Sequence, residues 1–225
     1  MGCKWYLAMT GAEFLQFDGT YPAAWMSARF SSGHTGLSNL PDGLPEGSLL
    51  IIDDFTPFAD HDPERIARDA ARAAEGCEGI LLDFQRPWDS RTVAEAILQH
   101  TPCPVAISAQ HAEGLPCAVF LSPELNIPLS RAVQPWQGRE LWLDVPVGMQ
   151  TFQIDAQGCQ ISPILPAEGS FPESGEFYRY RIEKSPNAVV FSLYRGPEML
   201  TQILEAAASL GITKAVGLEQ EYKKK

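Results

Sequence analysis

Asp83 and Gln85 stand two residues apart in the stretch EGILLDFQRP, with Phe84 between them. In an extended chain successive side chains alternate, so this carboxylate and this amide project to the same side. A carboxylate can take a proton or orient an N–H donor, whereas an amide can only hydrogen-bond. Other apolar runs also end in polar residues: Asp53 and Asp54 after LLII, Ser108 and Gln110 after PVAI, Ser122 and Glu124 after CAVFL, Asp144 after LWL, Tyr194 and Arg195 after VVFSL. A charged group at the end of a buried run is costly unless paired or solvated. Several such ends gathered at one rim would form a cleft lined by carboxylates, suited to acid–base chemistry or to a polar ligand. Capping of a following helix is the plainer role for Asp54 and Glu124.

Whether these residues meet depends on the elements that carry them. Continuous apolar runs bounded by turn residues read as strands covered on both faces, as in parallel sheets. They fall at 4–10, 24–30, 48–55, 79–84, 103–108, 117–122, 140–147 and 187–194. Helices are predicted over 62–76, with Asp62 as N-cap and Pro63 at the first position, over 89–100, and over 196–211, between Pro197 and Gly211. Eight covered strands with helices between them predict an α/β fold, a compact (β/α)8 TIM barrel with some helices short or missing. Residues 31–47 have loop chemistry where a helix belongs. An open doubly wound sheet is the alternative, but no glycine-rich phosphate loop follows the first strand. The alternating segments 150–164 and 176–183 predict a small antiparallel insert, 150–183, between strands seven and eight of one domain spanning 1–225. The closing EYKKK, 221–225, reads as a disordered tail.

Composition narrows the partners. Seventeen Lys and Arg against 28 Asp and Glu give a net charge of −11. This argues against nucleic acid and anionic membrane surfaces, which select for cationic chains. Five cysteines are scattered without a CxxC pair, the pattern of reduced thiols. No apolar run approaches the roughly 18 residues of a membrane span, and MGCKWYLAMT does not read as a signal peptide, so a cytoplasmic location is expected. His34, His61 and His111 follow predicted strands and, beside Asp53 and Asp54, are residue types of a zinc site. HxH and HxxxH spacings are absent, so no metal and no cofactor are expected. Ser108 and Ser122 lack a GxSxG elbow.

The strand-four stretch resembles the D-G-x-D-x-D-x-E signature of the family 18 glycoside hydrolases, the chitinase-like barrels. Glu78 stands at its first acid, Gly79 at its glycine, Leu81 at its second acid, Asp83 at its third and Phe84 at its aromatic position; Gln85 replaces the final Glu. The insert resembles the α+β insertion that many of these enzymes carry at the same place. The resemblance implies chemistry in which the substrate's own N-acetyl oxygen is the nucleophile, the final Glu protonates the leaving oxygen, and the Asp two residues earlier orients the acetamido group. Gln85 has no proton to give, and general acid catalysis is worth about 10²–10⁴-fold. The expectation is a chain that binds an N-acetylated saccharide, or another small polar ligand, with weak or no hydrolysis. Asp83 and the degenerate Gln85 would stand at its centre, with Asp53, Asp54, Ser108, Gln110, Trp88, Tyr194 and Arg195 around them. Trp136, Trp142 and Tyr178 are further aromatics that could stack on sugar rings. The alternative is an active glycoside hydrolase using Asp53, Asp83, Glu124 and Asp144; a metal-dependent hydrolase and a non-catalytic interaction protein stand behind it.

Overall fold

A computed structural model describes residues 2–9, 23–26, 44–54, 62–84, 90–123, 127–145, 148–155, 176–182, 189–195 and 198–217. In chain order the elements are β1 (Lys4–Met9), β2 (Ala23–Met26), β3 (Leu49–Asp53), α1 (Pro63–Ala73), β4 (Gly79–Asp83), α2 (Ser90–His100), β5 (Val105–Ser108) and β6 (Ala118–Leu121). There follow α3 (Leu129–Ala132), β7 (Leu141–Asp144), β8 (Gly148–Ile154), β9 (Glu176–Ile182), β10 (Val189–Arg195), α4 (Glu198–Ser209) and β11 (Ile212–Gly217).

Strands β1 to β7 lie side by side in sequence order, all parallel, and β11 fits between β7 and β1 to close the ring. The fold is therefore mixed α/β around a barrel-like parallel sheet, with fewer helices than barrel strands among the described residues. Alternation along the strands divides the core in two. Tyr6, Ile51, Leu81, Phe120, Trp142 and Val216 belong to the cluster filling the ring. Leu50, Ile52, Ile80, Leu82, Val105 and Ile107 point outward and pack with Ile66 and Ala70 of α1 and Val93 and Ile97 of α2. Helix α1 starts as its sequence dictates: the Asp62 side chain accepts from the Glu64 N–H at 3.1 Å, and Pro63 occupies the first turn.

The eighth barrel strand is not the one the apolar runs predict. Residues 187–194 read as that strand, but β10 instead forms the middle of a separate antiparallel sheet, order β8-β10-β9. A central strand has neighbours on both edges, and its continuous apolar sequence mimics a barrel strand. The true last strand, β11, is interrupted by Thr213 and Lys214, so the run criterion passes over it. The small sheet thus occupies 148–195 within the connection between β7 and α4. Its first strand pairs with β10, and the predicted return strand of a 150–164 hairpin lies outside the described residues beyond 155. No described helix is long and apolar enough to cross a membrane.

Candidate functional site

Three strands carry their inward alternation straight into polar residues at the carboxyl end of the barrel. In β3 the sequence Leu49, Ile51, Asp53 faces inward, in β4 Gly79, Leu81, Asp83, and in β5 Ala106 and then Ser108. Asp53 and Asp83 are direct register partners on neighbouring strands. They are 2% and 8% exposed, and Ser108 is 6% exposed. The Ser108 hydroxyl lies 3.3 Å from the Leu82 carbonyl oxygen and 3.4 Å from Asp83 Oδ1, so its proton steadies the strand end and the carboxylate together.

Asp144 follows Trp142 on the inward side of β7 and is partly exposed. Going round the ring, β7 is four places from β3 and three from β4. Asp144 therefore faces the Asp53–Asp83 pair across the mouth. No group of three or more His, Cys, Asp or Glu among the described residues comes close enough to hold a metal ion.

A second layer lies just outside. Asp54, fully buried, has the outward alternation of β3, and Phe84 that of β4. A short turn of 3-10 helix, Ala109–His111, follows β5. From it Gln110 Nε2 donates to the Phe84 carbonyl at 2.8 Å, so this side chain fixes the backbone leaving β4. His111 Nε2 is buried with no hydrogen-bond partner. Burial pushes the His111 pKa below its ordinary 6.5, against the opposing pull of the Asp54 charge. The sequence brought His111 forward only as a metal ligand and missed this position behind strand four.

Gln85, Trp88 and Glu124, like His34 and His61, lie outside the described residues. Tyr194 and Arg195 are not at the end of a barrel strand: they close β10, where Arg195 pairs with Gly148, three residues after Val145 at the exit of β7. Trp142 is fully buried inside the ring and Trp136 is half-buried near the opposite end, its ring centroid 5.7 Å from the Arg139 guanidinium, so neither stands at the mouth. Tyr178 lies in β9 of the small sheet.

The amino end of the barrel is polar too, but its groups are engaged with one another. Glu78 accepts from Lys4 and from the Tyr6 hydroxyl, contacts that hold its carboxyl below the usual range. Burial and the same carboxylate push the Tyr6 hydroxyl up. Burial opposes the charge of Glu140, yet the hydrogen bonds from Trp142 Nε1 at 2.9 Å and Thr213 at 3.0 Å, with the Lys214 ammonium at 3.4 Å, hold its pKa down. Two clefts among the described residues, about 340 and 420 Å³, open at this end and share Arg139. Arg139 spends its guanidinium on the carbonyls of Ala112, Leu115 and Cys117. Arg139 and Glu140, the charged groups lining these clefts, are both engaged in these contacts. No family model, no curated protein and no solved structure matches the chain.

Proposed function

We propose that the chain is a (β/α)8-type, glycoside-hydrolase-like barrel that binds a small polar ligand at the mouth, an N-acetylated saccharide, with little or no hydrolysis. The observation that carries this reading is the inward, in-register pair Asp53 and Asp83 at the carboxyl end of an otherwise apolar ring. Carboxylates so placed accept hydrogen bonds from hydroxyl and amide N–H groups, and the Ser108 hydroxyl holds Asp83 in one orientation for that task. The position of Gln85 two residues on supplies a hydrogen-bonding group where the family's acid would stand.

A calorimetric titration with N-acetylglucosamine oligosaccharides tests it. Wild-type protein is expected to bind, and Asp83→Asn to weaken binding at least about tenfold, the scale of a hydrogen bond to a charged group, while melting near the wild-type temperature. Absence of binding by the wild type, or equal binding by the variant, contradicts the reading. A second reading, hydrolysis by enzyme carboxylates, is favoured by one feature: Asp144 faces Asp83 across the ring, as two acids flanking a glycosidic bond would. Release of reducing ends by the wild type, lost in Asp144→Asn, would select it.

A further inference from the structure

Ser108 ends β5 and Gln110 lies in the turn after it, yet both side chains are spent on β4. We propose that Gln110 is a positioning residue for Asp83, a role that rests on the mouth being a binding site. Its amide nitrogen serves the protein rather than the ligand: it fixes the chain at Phe84, and with it the direction of the neighbouring carboxylate.

Backbone pairing with β5 does not reach the end of β4. The register pairs run from Ile80–Val105 to Leu82–Ile107 and stop there. Asp83 comes next, then Phe84, and on this side of β4 side chains take over. The Ser108 hydroxyl lies 3.3 Å from the Leu82 carbonyl oxygen and 3.4 Å from Asp83 Oδ1. It has one proton for these two acceptors, and both distances are long for a hydroxyl donor. Gln110 Nε2 donates to the Phe84 carbonyl at 2.8 Å, the shortest of these contacts. A carbonyl oxygen only accepts, so the nitrogen of the Gln110 amide is the atom that must face it. Gln110 is exposed at the rim, whereas Phe84 is fully buried, so the amide reaches inward to make this bond. Together the contacts fall on Leu82, Asp83 and Phe84, on both sides of the carboxylate.

A side chain can fix a neighbouring strand only if its own backbone is fixed. Gln110 belongs to the 3-10 turn Ala109–His111, which the Ala112 N–H closes on the Ala109 carbonyl at 3.2 Å. Behind the turn, Arg139 donates to the Ala112 carbonyl at 2.8 Å and to the Leu115 carbonyl at 2.7 Å. Arg91, near the start of α2, donates to the Glu113 carbonyl at 2.9 Å. Residues 112–115 are thus held by arginines from two other parts of the chain, and the turn gives Gln110 a firm post from which to hold β4.

Two variants test the role. Gln110→Met keeps the unbranched length and removes the donor; Gln110→Glu keeps the shape and sets an acceptor against the carbonyl. The first readout needs no ligand: amide hydrogen exchange of the full chain, followed by mass spectrometry. In both variants, peptides spanning the end of β4 are expected to exchange roughly 2- to 10-fold faster than in the wild type, the scale of one hydrogen bond. Peptides over β7 should be unchanged. Wild-type exchange at the end of β4 in both variants overturns the proposal. The second readout is calorimetric titration with N-acetylglucosamine oligosaccharides in a double-mutant cycle, at protein concentrations high enough to follow weakened complexes. Gln110→Met is expected to weaken binding by roughly 2- to 10-fold in the wild type. In the Asp83→Asn background it should change binding by less than about twofold, because a residue that acts through Asp83 loses its effect with it. Equal losses in both backgrounds show Gln110 meeting the ligand itself and overturn the proposal. If the wild type binds no oligosaccharide, the reading of the mouth falls, and exchange at the end of β4 decides for or against Gln110 as the brace of Asp83.

Discussion

Gly79 is read two ways by sequence and by structure. In the sequence it matches the glycine of the family 18 signature; in the fold it has a packing reason of its own. A Cβ there would stand 2.7 Å from Trp142 Cη2 and 2.8 Å from the Pro104 carbonyl oxygen. The ring of Trp142 lies across the floor of the barrel, and only a hydrogen fits beneath it. Gly79→Ala is expected to cost roughly 1–3 kcal/mol, as overpacking does, measured by urea denaturation; wild-type stability would show that the Trp142 ring moves aside freely. Asp83 was legible because strict alternation decides its side. His111 was not, because its burial follows from the turn after β5 rather than from any spacing. Its depressed pKa has a defined sign. Below about pH 6.5 the unfolded chain takes up a proton that the folded chain resists, so stability is full above that value and falls as pH drops through the folded pKa. Thermal midpoints measured from about pH 7 to 5 should fall less steeply in His111→Gln than in the wild type; parallel profiles would show that His111 does not contribute. Glu78 and Glu140, also held down, act in the same direction but only below about 4.5.

At the scale of elements, what the sequence exposes best is whatever local chemistry decides. The first seven barrel strands follow from apolar runs closed by turn residues, α1 from its Asp62–Pro63 start, and α2 from its apolar spacing. For α1 the cap is measurable: Asp62→Ala removes the acceptor of the Glu64 N–H and should cost about 0.5–2 kcal/mol in chemical denaturation, with no loss showing that water replaces the cap. The eighth strand was hidden because its identity depends on neighbours. In β11, Thr213 and Lys214 break the apolar run, and both reach Glu140, part of the polar floor of the ring. β10 looks like a barrel strand because two other strands flank it in the small sheet. Its misassignment carried Tyr194 and Arg195 with it, and the register with Gly148 returns them to the neighbourhood of the β7 exit by another route.

At the scale of the molecule, closure of the ring brings acids distant in sequence to one rim. Asp53 and Asp83 are 30 positions apart in sequence yet neighbours in register, and Asp144 comes round to face them. None of this depends on the family resemblance, which bears only on what the mouth would hold. The most direct measurement is a crystal structure grown with a chitin-type oligosaccharide at saturating concentration. The account predicts sugar density at the carboxyl end of the barrel, with an acetamido N–H within hydrogen-bond distance of Asp83. An empty mouth, or an oligosaccharide held instead at the opposite end beside Arg139, would contradict it.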